Sequence, residues 1–247
     1  MTRLFAAELV KLRTLRSTWG FLLVALLFGG LVAAGNIGGS SETDRLDPEL
    51  QFRIVLDAAF PGSILALLLG IILVTNEFRH GTIARSLLAS PRRPRFVAVK
   101  LFTGGATGVL LMAAMIVVIA VAAVIWLGVL DVPLDAGEAA DATWRALLVA
   151  SLAGVLGAGI GGAVHSQVGA LVGALLWMFV LEPICWVILG LLDLDGVSEY
   201  LPAAALGGTV DTSDEGLSWA RSVAVAVAWT GVAAVLAVLR ISRRDVT

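Results

Sequence analysis

Charge, cysteine and histidine are all scarce in this sequence. Of 247 residues, one is cysteine (Cys185) and two are histidine (His80 and His165). A lone thiol excludes an internal disulfide framework and a cysteine-built metal cluster. The histidines form no His-Glu-x-x-His pair, and no G-x-x-x-x-G-K-[ST] phosphate loop occurs. Zinc-protease chemistry and ATP hydrolysis by this chain alone are therefore not expected. Ser151 and Ser166 have no evident partner base, so no catalytic residue is assigned. Charged residues make up 15% of the chain, against about a quarter in soluble domains, and they are clustered.

What fills the space between those clusters is apolar. Hydrophobic residues reach 59% and the mean hydropathy is +0.96. A hydrocarbon core of roughly 30 Å is crossed by about 20 helical residues. Six uncharged or nearly uncharged stretches meet that length: Trp19–Asn36, Ala58–Thr75, Leu101–Leu130, Trp144–Val164, Val168–Leu192 and Trp219–Leu239. The expected fold is an all-α membrane protein, a single transmembrane domain over 1–247. The third stretch exceeds one crossing and must tilt or project. Only His165-Ser166-Gln167 separates the fourth from the fifth, which predicts a tight helical hairpin.

The clusters set an orientation. Thirteen of the 17 basic residues fall in the N-terminal segment, the segment 75–100 and the C-terminal segment. The other four, Arg45, Arg53, Arg145 and Arg221, lie on the opposite side among fourteen acids. Basic flanks stay in the cytoplasm, so both termini and the segment 75–100 are expected there, in a multi-pass membrane protein. Ala33-Ala34-Gly35 offers a signal-cleavage motif, but the polar segment before it is long and the apolar run exceeds a signal core.

Residues 1–17 place Leu4, Phe5, Leu9, Leu12 and Leu15 near one helical face, with Lys11, Arg13 and Arg16 largely elsewhere. That pattern predicts an amphipathic helix at the membrane surface. Glu8 can pair with Lys11 across one turn. The plainer reading is a basic segment that only enforces topology.

The segment 75–100, TNEFRHGTIARSLLASPRRPRFVAVK, carries six basic residues and one acid, Glu77. Gly81 interrupts it, Thr82 can cap a short helix through Ile83, Leu87 and Leu88, and Pro91 and Pro94 are expected to end that helix. A short helix with an apolar edge and a charged rim suits docking in another protein's groove. A solvated loop drawn to anionic lipid has the same composition, and the residues alone leave both open.

Inside the spans one acid stands out. Glu182 is followed by Pro183, which removes a helix hydrogen bond, so the fifth span is expected to kink or break there. Intramembrane acids are functional candidates. The functional reading of Glu182 is a polar lining or gate of a pathway; the structural one is a carboxylate paired with Arg53 or Arg221, or one capping freed amides. Glycines four apart, Gly104 with Gly108, Gly157 with Gly161 and Gly169 with Gly173, allow close helix approach and are expected to serve packing within the chain.

Several of these segments resemble the ABC-2 type transporter permeases, the membrane half of a class of bacterial ABC exporters. Glu77-Phe78-Arg79-His80-Gly81-Thr82, then Ser90-Pro91-Arg92-Arg93, then Lys100 are similar to that family's coupling-helix sequence between spans two and three. Glu8, Lys11, Thr14, Arg16 and Ser17 are similar to its N-terminal pattern, and the run Trp177–Pro183 to the fifth span of many actinobacterial members. His165 departs from the pattern, since relatives often carry a basic residue there. The resemblance implies coupling through Glu77, Phe78, Arg79, His80, Gly81, Thr82, Pro91 and Arg92, an interface helix using Glu8, Lys11 and Arg16, and a gate region at Glu182 and Pro183. It implies a re-entrant hairpin within Asp193–Gly216. The implied partners are an ABC ATPase subunit, a second permease copy and lipid, with no nucleic acid. No cofactor is implied on this chain; ATP and Mg would belong to the partner subunit. The alternatives are a secondary transporter or channel driven by an ion gradient, and a nontransport membrane anchor for an ATPase.

Overall fold

The computed structural model describes residues 16–39, 48–81, 93–130, 136–211 and 216–242. Among these the chain is helical, with no strand. The helices are α1 (Arg16–Gly39), α2 (Pro48–Arg79), α3 (Arg93–Leu130), α4 (Ala136–Val164), α5 (Gln167–Leu176), α6 (Glu182–Leu191), α7 (Asp195–Ser198), α8 (Pro202–Gly207) and α9 (Trp219–Ser242). A π-helical turn, Trp177–Leu181, joins α5 to α6 into one rod. Six helices are long and apolar enough to cross a membrane, so this is a multi-pass membrane protein by length and composition.

The ends differ from the sequence expectation. The second span belongs to a helix of 32 residues that runs through Pro61. The short helix expected to end at Pro91 and Pro94 lies outside the described residues; Pro94 itself sits in the first turn of α3, where its missing N–H has no partner to lose. The 38 residues of α3 make a rod about 57 Å long at 1.5 Å per residue, close to twice the hydrocarbon thickness. Ala33, in the small-residue motif, is buried within α1. Arg16 opens α1, whereas Glu8 and Lys11 lie outside the described residues, as do Thr82, Pro91 and Arg92.

Helix α2 forms the centre: 78% of its apolar window is buried, against 6% for the α5–α6 rod, which packs lightly along one side. Lipid tails are as apolar as leucine, so close van der Waals packing has to hold the helices together. Helix α4 supplies it through glycine on several faces. A Cβ on Gly157 would lie 2.0 Å from the Leu67 carbonyl of α2, and one on Gly161 2.8 Å from the Ile71 carbonyl. Between α4 and α3, a Cβ on Gly154 would lie 2.2 Å from the Gly104 carbonyl, and one on Gly108 2.1 Å from the Ala150 carbonyl. Gly159 and Gly162 receive Ala233 and Ala237 of α9. Two of the three expected glycine pairs thus serve intrachain packing. The third does not: Gly173 faces open space and Gly169 touches only its own turn.

The hairpin between α4 and α5 is as tight as its three residues require. His165 takes φ 61, and the Ser166 hydroxyl caps α5 by accepting from the Gly169 amide at 3.2 Å.

Candidate functional site

Two clusters of polar side chains interrupt the apolar bundle, one at each end. The basic end gathers the stems of the basic loop. Glu77, in the last turn of α2, is 5% exposed, and Lys100 of α3 is 3% exposed. Lys100 Nζ donates to Glu77 Oε1 at 2.6 Å, and the ammonium lies 5.7 Å from the Phe96 ring centroid. A buried charge pair costs desolvation, and removing one partner strands the other. The pair therefore makes the α2 and α3 ends interdependent.

Around it, several neighbouring residues reach other parts of the bundle. Phe78 packs edge-on against His165, with centroids 4.5 Å apart. Exposed Arg79 donates to Gln167 Oε1 at 3.3 Å. Arg93 donates to the carbonyls of Ile241 and Ser242 at the C-terminal end of α9, where a cation also complements the helix dipole. His80 folds back, its Nδ1 2.9 Å from the Asn76 carbonyl. Gly81 adopts φ 63, the left-handed conformation that favours glycine and ends the helix. Of the expected coupling residues, Glu77 thus faces inward, Phe78 is half-buried, and Arg79, His80 and Gly81 are exposed.

The acidic end is organised by Glu182. Its carboxylate is 2% exposed and accepts three hydrogen bonds. Trp177 Nε1 donates at 2.8 Å, the Ala203 amide at 3.1 Å and the Ala204 amide at 2.7 Å. The amides belong to the first turn of α8, where helical N–H groups have no internal partner. Of the possibilities weighed for this carboxylate, capping freed amides is the one found. Pairing with Arg221 is not: that residue is exposed.

The fifth span does not break but widens into the π turn, and this has a local cause. Pro183 has no N–H to offer the carbonyl four residues back. The helix widens just before it, and the Glu182 N–H bonds to the Trp177 carbonyl, five residues back. That turn puts the Trp177 indole and the Glu182 carboxylate on one side.

Beyond α6 the chain reverses. Asp193 takes φ 54, and the Leu194 and Asp193 amides return to Leu189 and Gly190, a left-handed helix stop. The connector then runs back beside α6 to the level of Glu182. Trp229 Nε1 of α9 pins it by donating to the Tyr200 carbonyl at 2.9 Å, and Gly208 presses on Ser222. Between connector, α6 and the bundle lies a cavity of about 960 Å³, with Phe60, Met178, Glu182, Trp186, Glu199 and Trp219 in its wall.

The carboxylate's target was not legible in sequence, because Ala203 and Ala204 carry no polar side chain to mark them. Nor were the Arg93 and Arg79 bonds, which depend on which helix ends meet. Among the described residues no group of three His, Cys, Asp or Glu side chains could hold a metal ion. No family model matches the chain, and no curated protein matches it.

Proposed function

We propose that this chain is the permease subunit of an ABC-2 type ATP-driven exporter, with both termini and the basic loop in the cytoplasm. Its pathway forms with a second permease copy, identical or homologous, and a separate ATPase subunit binds ATP and Mg. The chain has no phosphate loop of its own, so work must reach it through a contact surface.

The observation that carries this reading is the anchoring of the basic loop. Its stems are fastened to each other by Glu77 and Lys100, and to the rest of the bundle through Phe78 with His165, Arg79 with Gln167, and Arg93 with the end of α9. A displacement of the loop is thereby shared by α2, α3, α5 and α9 rather than absorbed in a slack turn. Glu77 acts as a foundation for the coupling segment; Arg79, His80 and Gly81 form its exposed rim. At the other end, Glu182 and Pro183 shape a closure: the connector is held over the bundle by the carboxylate. The ion-gradient alternative calls for an available acid within the spans, and the Glu182 carboxylate is already occupied by three donors.

Co-expression with the phosphate-loop ATPase encoded nearest this chain tests the proposal. The ATPase is expected to co-purify and to hydrolyse ATP faster in the complex. A neighbourhood without such an ATPase contradicts it.

A further inference from the structure

We propose that the cavity at the acidic end is a binding site for a lipophilic organic cation. Its volume of about 960 Å³ lies in the upper range of small-molecule sites, roughly 300–1,000 Å³. Phe60, Trp186 and Trp219 give it aromatic walls and Met178 an adaptable one. Aromatic faces attract cations within about 6 Å, most strongly where water is excluded.

The charges in the wall favour the same sign of ligand. Arg145 has a counter-charge already: Asp141 lies 2.7 Å from its Nε, though without hydrogen-bond geometry, and its guanidinium sits 5.9 Å from the Trp144 ring centroid. The Glu182 carboxylate is taken up by its three donors. Glu199 is different. It is half-buried in the wall, and its side chain makes no hydrogen bond or ion pair among the described residues. Its Oε1 would lie 3.5 Å from a Cβ on Gly216, whose φ is 95. The glycine thus leaves space beside the carboxylate. Partial burial of an unmatched charge is unfavourable until a counter-charge arrives.

The apolar side of the ligand has a place as well. A second recess of about 240 Å³, lined by Leu67, Leu156, Trp177, Leu206 and Trp229 among others, shares Met178 and Ala203 with the first. A cation with an apolar body can lie across that shared rim. A bare metal ion has no comparable set of ligands among the described residues.

The test uses the full chain in nanodiscs of zwitterionic lipid, without any ATPase, so its outcome is separate from that of the proposed function. Tetraphenylphosphonium binding is measured by equilibrium dialysis against empty nanodiscs. Saturable binding is expected. Glu199→Gln, which keeps shape and removes charge, should weaken it about tenfold, and Trp186→Leu severalfold. Tetraphenylborate, of similar size and opposite charge, should show no saturable binding. The inference is overturned by tetraphenylphosphonium binding no greater than that of lipid alone. Equal binding by the wild type and both variants, or saturable binding of tetraphenylborate, overturns it too.

Discussion

The Glu182 carboxylate accepts the backbone N–H of Ala204 at 2.7 Å, 22 residues further along the chain. One acid within the fifth span thereby fixes the return path of the connector. It does so at the point where the π turn has aimed the carboxylate away from lipid. Glu182→Ala leaves two helix amides and an indole N–H without their acceptor. Each stranded buried donor costs about 1–3 kcal/mol, so a loss of about 3 kcal/mol in stability is expected. Hydrogen exchange should accelerate at the Ala203 and Ala204 amides while the centre of α2 stays protected.

The Glu77–Lys100 pair leads to a test of non-additivity. Lys100→Met alone takes the ammonium from a buried carboxylate, and Glu77→Leu alone takes the carboxylate from a buried ammonium. Each is expected to cost about 3–5 kcal/mol. The double variant should recover part of that loss, because both buried charges are then removed together. A double-mutant cycle of thermal stability in detergent should give a coupling above about 1 kcal/mol; additive losses would show that the two side chains act independently.

Glycine positions separate packing from mere composition. A Cβ on Gly157 would meet the Leu67 carbonyl at 2.0 Å, whereas one on Gly173 meets nothing within 4 Å. Gly157→Ala should lower stability by about 1–3 kcal/mol through overpacking. Gly173→Ala should be neutral or gain up to about 1 kcal/mol from helix propensity. Melting temperatures of the two variants check this directly.

Much of the architecture was legible because lipid imposes a simple rule of length and charge exclusion. All six spans were recognised, and the short hairpin at His165-Ser166-Gln167 has the form its length required. Helix ends were less legible, since α2 and α3 continue into polar flanks where hydropathy gives no signal. Pro94 proved to open α3, a role hydropathy does not signal, since a proline can both stop one helix and open another. Gly169 and Gly173 misled because spacing says nothing about which face meets a neighbour. Glu182 and Pro183 marked where the helix departs from α geometry, although the departure is a π turn within one continuous rod rather than a break. The capped amides lay beyond reach, being backbone groups of alanines in a connector.

Orientation has its own check. In a Cys185→Ser background, a cysteine replacing Arg92 should react with a membrane-impermeant maleimide only from the cytoplasmic side, and one replacing Asp214 only from outside. Labelling of both from the same side would contradict the charge-based topology.

The central claim is that the basic loop receives work from a separate ATPase. Its most direct measurement is co-purification of the neighbouring phosphate-loop ATPase with charge-reversal variants of the basic segment 75–100. Arg79→Glu combined with Arg92→Glu should lower the amount of ATPase recovered at least severalfold and abolish its stimulation, while Glu182→Gln leaves recovery unchanged. Undiminished recovery and stimulation with the two charges reversed would contradict the account.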